Sequence, residues 1–218
     1  MGEIFNASTQ DALLNTYAVY VFVPVLLGIL FWRRLIETQK LIFYITVLTA
    51  INHTLTSLIK HSGSNVWVYH LYVPALFYLT WKIYSKELRK LFPPLVSKVI
   101  LILVLAFCAF NTAFLQNLGV SPTNSIFVLS AVFIFWCVGY FYSLLQETEL
   151  KPLEKLPIFW FNAGVLLYYS STVILFLLVF NFLEDQTETK YIALILNAIF
   201  NLVLVTSYII SLWVKPQV

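Results

Sequence analysis

Seven apolar runs, each long enough to cross a bilayer, succeed one another along the chain with only short polar connections between them. They fall near residues 14–32, 40–60, 66–84, 98–116, 123–145, 157–180 and 190–213. A hydrocarbon layer needs about 20 apolar residues per helical crossing. Backbone groups in lipid must also be satisfied within the segment, which leaves the α-helix as the form each run takes. The expected fold is therefore an all-α membrane protein, a single bundle of seven transmembrane helices filling residues 1–218. Charged residues make up only 11% of the chain against 61% hydrophobic, far from the quarter charged that is usual in soluble domains.

The cations are sorted by side. With the N-terminus outside, Arg33, Arg34, Lys40, Lys82, Lys86, Arg89, Lys90, Lys98, Lys151, Lys155 and Lys215 all fall on the cytoplasmic side. Lys60 and Lys190 alone fall outside. An excess of 11 over 2 in short loops sets the expected topology as N-out and C-in, in a plasma or inner membrane. Sorted in this way, the basic residues form no patch for nucleic acid. Cys108 and Cys137 lie within apolar runs and read as small buried hydrophobes. The N-terminus has no basic region of the kind that opens a signal peptide, and Asn6 stands where myristoylation needs Ser or Thr.

Prolines punctuate the runs. Pro24 and Pro74 lie inside the first and third, where each frees a carbonyl and permits a bend. Pro93-Pro94, Pro122 and Pro157 stand at helix starts.

The second run carries a polar stripe. At about 100° per residue, Thr46, Thr49, His53, Thr56, Ser57 and Lys60 share one side, while Leu48, Ile51, Leu55, Leu58 and Ile59 share the other. Unpaired polar groups are costly in hydrocarbon, so the stripe is expected to face other helices or a wet cavity. His53 lies near mid-membrane, where an ionisable side chain is a functional candidate by default. The third run opens Trp67-Val-Tyr-His-Leu-Tyr-Val-Pro74 and continues with Phe77, Trp81 and Tyr84. Asn162, Tyr169 and Thr172 mark one side of the sixth, and Asn197, Asn201, Tyr208 and Ser211 one side of the seventh.

These residues predict a pocket between the second, third, sixth and seventh helices, open to the outside. His53, Asn52, Thr56, Ser57, Asn162, Tyr169, Asn197 and Asn201 are its expected ligand-binding groups, with Tyr69 and His70 at the mouth. His61 and Lys60 are expected at the rim. The ordinary alternatives are interhelical hydrogen bonding for the asparagines and interface anchoring for Trp67, Tyr69 and Tyr72.

Several chemistries find no support. Seven-helix zinc hydrolases place a carboxylate within the helices, whereas every Asp and Glu here falls in a loop or near an expected helix end. His53 and His61 are about 12 Å apart along a helix, too far to share one ion. Retinal proteins need a lysine in the middle of the last helix, and Lys190 stands only at its start. No enzyme activity, metal or cofactor is expected. The leading function is a ligand-sensing or signalling subunit, with a small-molecule ligand and a cytoplasmic or membrane signalling partner. The alternative is a facilitative transporter of a small uncharged solute.

Two resemblances bear on this choice. In size, topology and helix number the chain resembles the SWEET and PQ-loop transporters, although Val25 follows Pro24 where their motif has glutamine; Asn197 echoes their paired-asparagine pocket. Asn65-Val-Trp-Val-Tyr-His-Leu-Tyr-Val-Pro74 and Pro157-Ile-Phe-Trp-Phe-Asn-Ala-Gly164 are similar to segments of small bacterial seven-helix membrane proteins, some encoded beside sensor kinases. The first resemblance implies transport, the second sensing.

Overall fold

A computed structural model of the protein describes residues 7–59, 64–147, 152–182 and 187–215. Lys60 and His61, expected at the pocket rim, lie outside the described residues. Among the described residues the structure is helical, with no strand. The helices are α1 (Ala7–Tyr20), α2 (Val23–Leu30), α3 (Glu37–Ile59), α4 (Trp67–Glu87), α5 (Pro94–Phe110), α6 (Thr123–Leu145), α7 (Pro157–Phe182) and α8 (Thr187–Trp213).

The first expected helix is two. Pro24 has no N–H to offer the Tyr20 carbonyl, and the chain tightens there, with Phe22 N bonding the Val19 carbonyl at 3.2 Å. The two pieces still make one apolar span, Ser8–Leu30. Pro74 acts differently, for α4 runs unbroken through it. Pro94 and Pro157 begin α5 and α7, and Pro122 precedes α6, as N-terminal prolines do.

The fourth expected helix also changes form. After Phe110 the chain widens into a π turn over Asn111–Leu115, closed by Gln116 N on the Asn111 carbonyl at 2.7 Å. Polar side chains hold this turn to the start of α6. Asn111 Nδ2 donates to Gln116 Oε1 at 3.0 Å, Asn124 Nδ2 donates to Asn111 Oδ1 at 3.1 Å, and Gln116 Nε2 donates to Thr123 Oγ1 at 2.6 Å.

Six of the spans, Ser8–Leu30 among them, are long and apolar enough to cross a membrane. α4 is long enough but less apolar, since Lys82, Lys86 and Glu87 occupy its last turns. Ile51, Leu55 and Leu58 of α3 are exposed, as the stripe required, and Leu26, Ile102, Leu103, Phe135 and Ile174 present similar apolar surface. This surface is what a multi-pass integral membrane protein turns toward lipid.

Inside the bundle, α3 packs on α4 and α8, α6 on α7, and α7 on α8, which share the most extensive interface. Gly164 lets α7 and α8 approach so closely that a Cβ there would stand 2.3 Å from Ser207 Cβ. The α1 and α2 pieces lie against α8. An aromatic column runs through the centre. Phe77 stacks on Phe133 and Trp136, Trp136 meets Tyr84, and Phe161 stacks on Tyr208 with centroids 5.7 Å apart.

The end of α8 is clamped. Buried Gln39 donates through Nε2 to the Ser211 and Val214 carbonyls at 2.8 and 2.9 Å, and Arg34 donates to the Trp213 carbonyl at 3.1 Å. Orphan carbonyls at a helix C-terminus are thereby satisfied without water.

Candidate functional site

Two neighbouring spaces stand where one pocket was expected. The first is an open cleft of about 580 Å³ at the end of the bundle that carries the α3 C-terminus. Asp11, Asn15 and Tyr17 of α1 form one wall, His53, Thr56 and Ser57 of α3 another, with Asn65 and Tyr69 completing it. The second is an interior cavity of about 130 Å³. Six tyrosines line it: Tyr17, Tyr69, Tyr72, Tyr168, Tyr169 and Tyr208. Thr49 and Asn201 supply the remaining polar groups, and aliphatic residues such as Leu129, Leu204 and Val205 fill the gaps. Tyr17 and Tyr69 belong to both spaces, so these two residues stand between cleft and cavity.

Helix periodicity brings the tyrosines together. Tyr69 and Tyr72 are three residues apart on α4, and Tyr72 with Leu76 continues the same face one turn on. The adjacent Tyr168 and Tyr169 of α7 meet edge to face with centroids 4.9 Å apart, which lets both reach the cavity. Some of the phenols are already engaged. The Tyr72 hydroxyl lies 3.2 Å from Thr49 Oγ1, and Asn201 and Thr172 stand within reach of the Tyr168 hydroxyl. Among the described residues the hydroxyls of Tyr17, Tyr169 and Tyr208 make no hydrogen bond to protein, and none of them is sealed from the cavity as a buried unpaired atom. No charged side chain lines the interior cavity.

The expected site residues divide into those the fold assembles and those it uses elsewhere. His53, Thr56, Ser57 and Tyr69 line the cleft, and Tyr169 and Asn201 line the cavity. The His53 ring meets Tyr17 edge-on at 5.4 Å and Phe22 at 6.5 Å. Thr56 is mainly structural: its hydroxyl bonds the Asn52 carbonyl at 2.9 Å, while its own carbonyl accepts from Asn65 Nδ2 at 2.9 Å.

His70 does not stand at the mouth. It turns toward α5, where Nε2 donates to the Val120 carbonyl at 2.8 Å and Nδ1 lies 2.8 Å from Thr112 Oγ1. It therefore ties the π turn and its loop to α4. Asn162 is likewise withdrawn. Wholly buried, it accepts the Tyr84 hydroxyl at 2.6 Å and donates to the Cys137 carbonyl at 3.2 Å, a closed link between α4, α6 and α7. Asn197 lines neither space, and its carbonyl accepts from Asn201 Nδ2 at 2.9 Å. Asn52 is buried between the levels of Thr49 and Thr56 without lining either space. Its Oδ1 is the one buried side-chain atom among the described residues that has no partner.

Five contributors escaped the sequence. α1 begins at Ala7 rather than near residue 14, which makes Asp11 helical, and it puts Asp11 and Asn15 on the cleft. Tyr72 reads as an interface anchor but is interior. Tyr17 and Tyr168 carried no periodic polar stripe to flag them; the available signal was a tyrosine pair, Tyr168-Tyr169, well inside an apolar run. Among the described residues no three His, Cys, Asp or Glu converge to hold a metal ion. No protein-family model, curated protein or solved structure matches the chain.

Proposed function

We propose that the protein is a seven-pass, N-out membrane subunit that senses a small uncharged ligand held in the tyrosine-lined cavity. The observation that carries this reading is the tyrosine-lined cavity lying beside an open cleft, with Tyr17 and Tyr69 lining both. Beyond Tyr208 the interior is filled by Phe161, Tyr84, Asn162 and Leu212, all almost wholly buried. The excess of cations on the opposite side supports placing the cleft outside.

A charged ligand would find no counter-charge in the cavity and would lose its hydration there. A neutral ligand with a hydroxyl or amide would meet open phenols and apolar walls together. The volume suits a molecule of about benzene size, which a dry cavity of roughly 150 Å³ admits. Occupancy would bear on α1 through Tyr17 and on α7 through Tyr168 and Tyr169. The proline break after α1 gives the first of these freedom to respond, and a separate partner would read the change.

Phenol serves as the test ligand, with full-length protein in lipid nanodiscs. A saturable rise in melting temperature is expected for wild type and its loss for Val205→Phe, which fills the cavity. Glycerol efflux from proteoliposomes, followed by light scattering, separates the rival. Binding without efflux supports sensing. Efflux that Val205→Phe abolishes would make the protein the facilitative transporter instead. A variant that binds phenol as wild type does would remove the cavity from either role.

A further inference from the structure

A second recess lies at the other end of the bundle, far from the tyrosine cavity. It is an open cleft of about 560 Å³ between the start of α3, the end of α4 and the start of α5. Lys82, Lys86, Arg89 and Lys98 line it, against the single carboxylate of Glu37. Glu37 is already committed, with Oε2 2.5 Å from Lys86 Nζ. Lys82, Arg89 and Lys98 are left without an acidic partner in the cleft.

Its floor is ordered. The Trp81 indole donates to both the carbonyl and the hydroxyl of buried Ser97 at 2.9 Å, which fixes α4 against the first turn of α5. Tyr78 stacks on Trp81, and Lys82 Nζ sits 5.0 Å above the Tyr78 ring. Pro94, the first residue of α5, also lines the cleft, so the positive end of that helix opens beside the three cations. Directly along α5 the outward surface turns apolar, with Leu95 73% and Ile102 64% exposed. A trivalent cationic cleft at the edge of an apolar helix face matches a molecule that is anionic at one end and hydrocarbon at the other.

We infer that this cleft is a binding site for the phosphate headgroup of an anionic membrane lipid, whose acyl chains lie along α5. Lys82, Arg89 and Lys98 would meet the phosphate oxygens, Arg89 with two parallel donors. A free phosphate would gain the charge but nothing from the apolar strip, and that difference favours the lipid. Basic clusters at the cytoplasmic ends of spans attract anionic leaflets for the same electrostatic reason.

Full-length protein, purified in neutral detergent, would be titrated with phosphatidylglycerol and with phosphatidylcholine and read by native mass spectrometry. Wild type should prefer phosphatidylglycerol by about tenfold or more, given three cations each favouring the anionic headgroup. Lys82→Gln/Arg89→Gln/Lys98→Gln should erase that preference, while Arg33→Gln/Lys155→Gln/Lys215→Gln, with equal loss of charge, should keep it. Glu37→Gln releases Lys86 and should strengthen it, an outcome that no folding defect imitates. Added inorganic phosphate should leave lipid binding unchanged. Displacement of the lipid by phosphate would identify a soluble anion as the ligand and overturn the proposal. So would a triple variant at the cleft that still prefers phosphatidylglycerol, or a wild type that takes both lipids alike and instead retains a protein through these cations.

Discussion

Replacing Gly164 with alanine tests the packing on which the cavity depends. An added Cβ would stand 1.8 Å from Ser207 Oγ and 2.3 Å from Ser207 Cβ, both impossible contacts, and 3.7 Å from Leu204 Cδ1, an ordinary one. A rotamer change at Ser207 removes the first clash but not the second, because Cβ is fixed by the backbone. α7 and α8 must therefore separate locally by more than an ångström to restore contact distance. Overpacking of this kind costs about 1–3 kcal/mol, a roughly 5- to 150-fold shift in the folding equilibrium. The separation would also carry Leu204 and Val205 away from Tyr169 and loosen the cavity wall. Unfolding by sodium dodecyl sulfate in mixed micelles, followed by tryptophan fluorescence, measures the cost. Ser207→Gly removes the opposing atoms, so the double variant Gly164→Ala/Ser207→Gly should recover most of the loss. A Gly164→Ala protein as stable as wild type would refute the reasoning, as would a double variant no better than the single one.

Other interior groups give further expectations under the same unfolding assay. Tyr84→Phe leaves the Asn162 Oδ1 acceptor buried without its 2.6 Å donor and should destabilise by about 1 kcal/mol. Thermal melting of His70→Ala should show a loss of about 1–3 kcal/mol, since the Val120 carbonyl loses its donor and the π turn its tether. Asn52→Leu removes an unpartnered buried acceptor, so stability should hold or rise while phenol binding is retained; a loss above about 1 kcal/mol would mean that Oδ1 has a partner after all. Tyr169→Phe should weaken phenol binding with little effect on melting, because its hydroxyl makes no protein hydrogen bond among the described residues.

Much of the fold was legible because a bilayer asks one simple question of each segment. The run 123–145 coincides with α6, and the start of α7 falls at Pro157 as expected. The inward side of α3 followed from periodicity: Thr46 and Thr56 are buried, and Ile51, Leu55 and Leu58 are exposed. The site was harder. His53, Thr56, Ser57 and Tyr69 do share a cleft, but Asn162 turned to the interhelical bonds that were its ordinary alternative, and His70 to Thr112 of the π turn and Val120 of the loop after it. An isolated polar residue in a membrane helix looks the same in sequence whether it meets a ligand or a neighbouring carbonyl. The cavity itself is built from phenols, and a tyrosine inside an apolar run raises no alarm in a hydropathy count. Only the packing of α1 across α8 brought Tyr17 to the others.

That packing has a bearing on how the protein is made. The Tyr20 hydroxyl lies 3.2 Å from Thr206 Oγ1, across 186 residues of chain, and the Arg34 and Gln39 clamps reach comparably far. At synthesis rates of about 5–20 residues per second, the first helix waits roughly ten to forty seconds for the surface it will rest on. During that interval α1 and α2 have α3 beside them but lack the α8 surface against which both pieces also rest. The cavity wall contributed by Tyr17 is thus among the last features to form. Anything that delays the emergence of α8 leaves the nascent chain with its site incomplete and its first span open to capture by other membrane proteins.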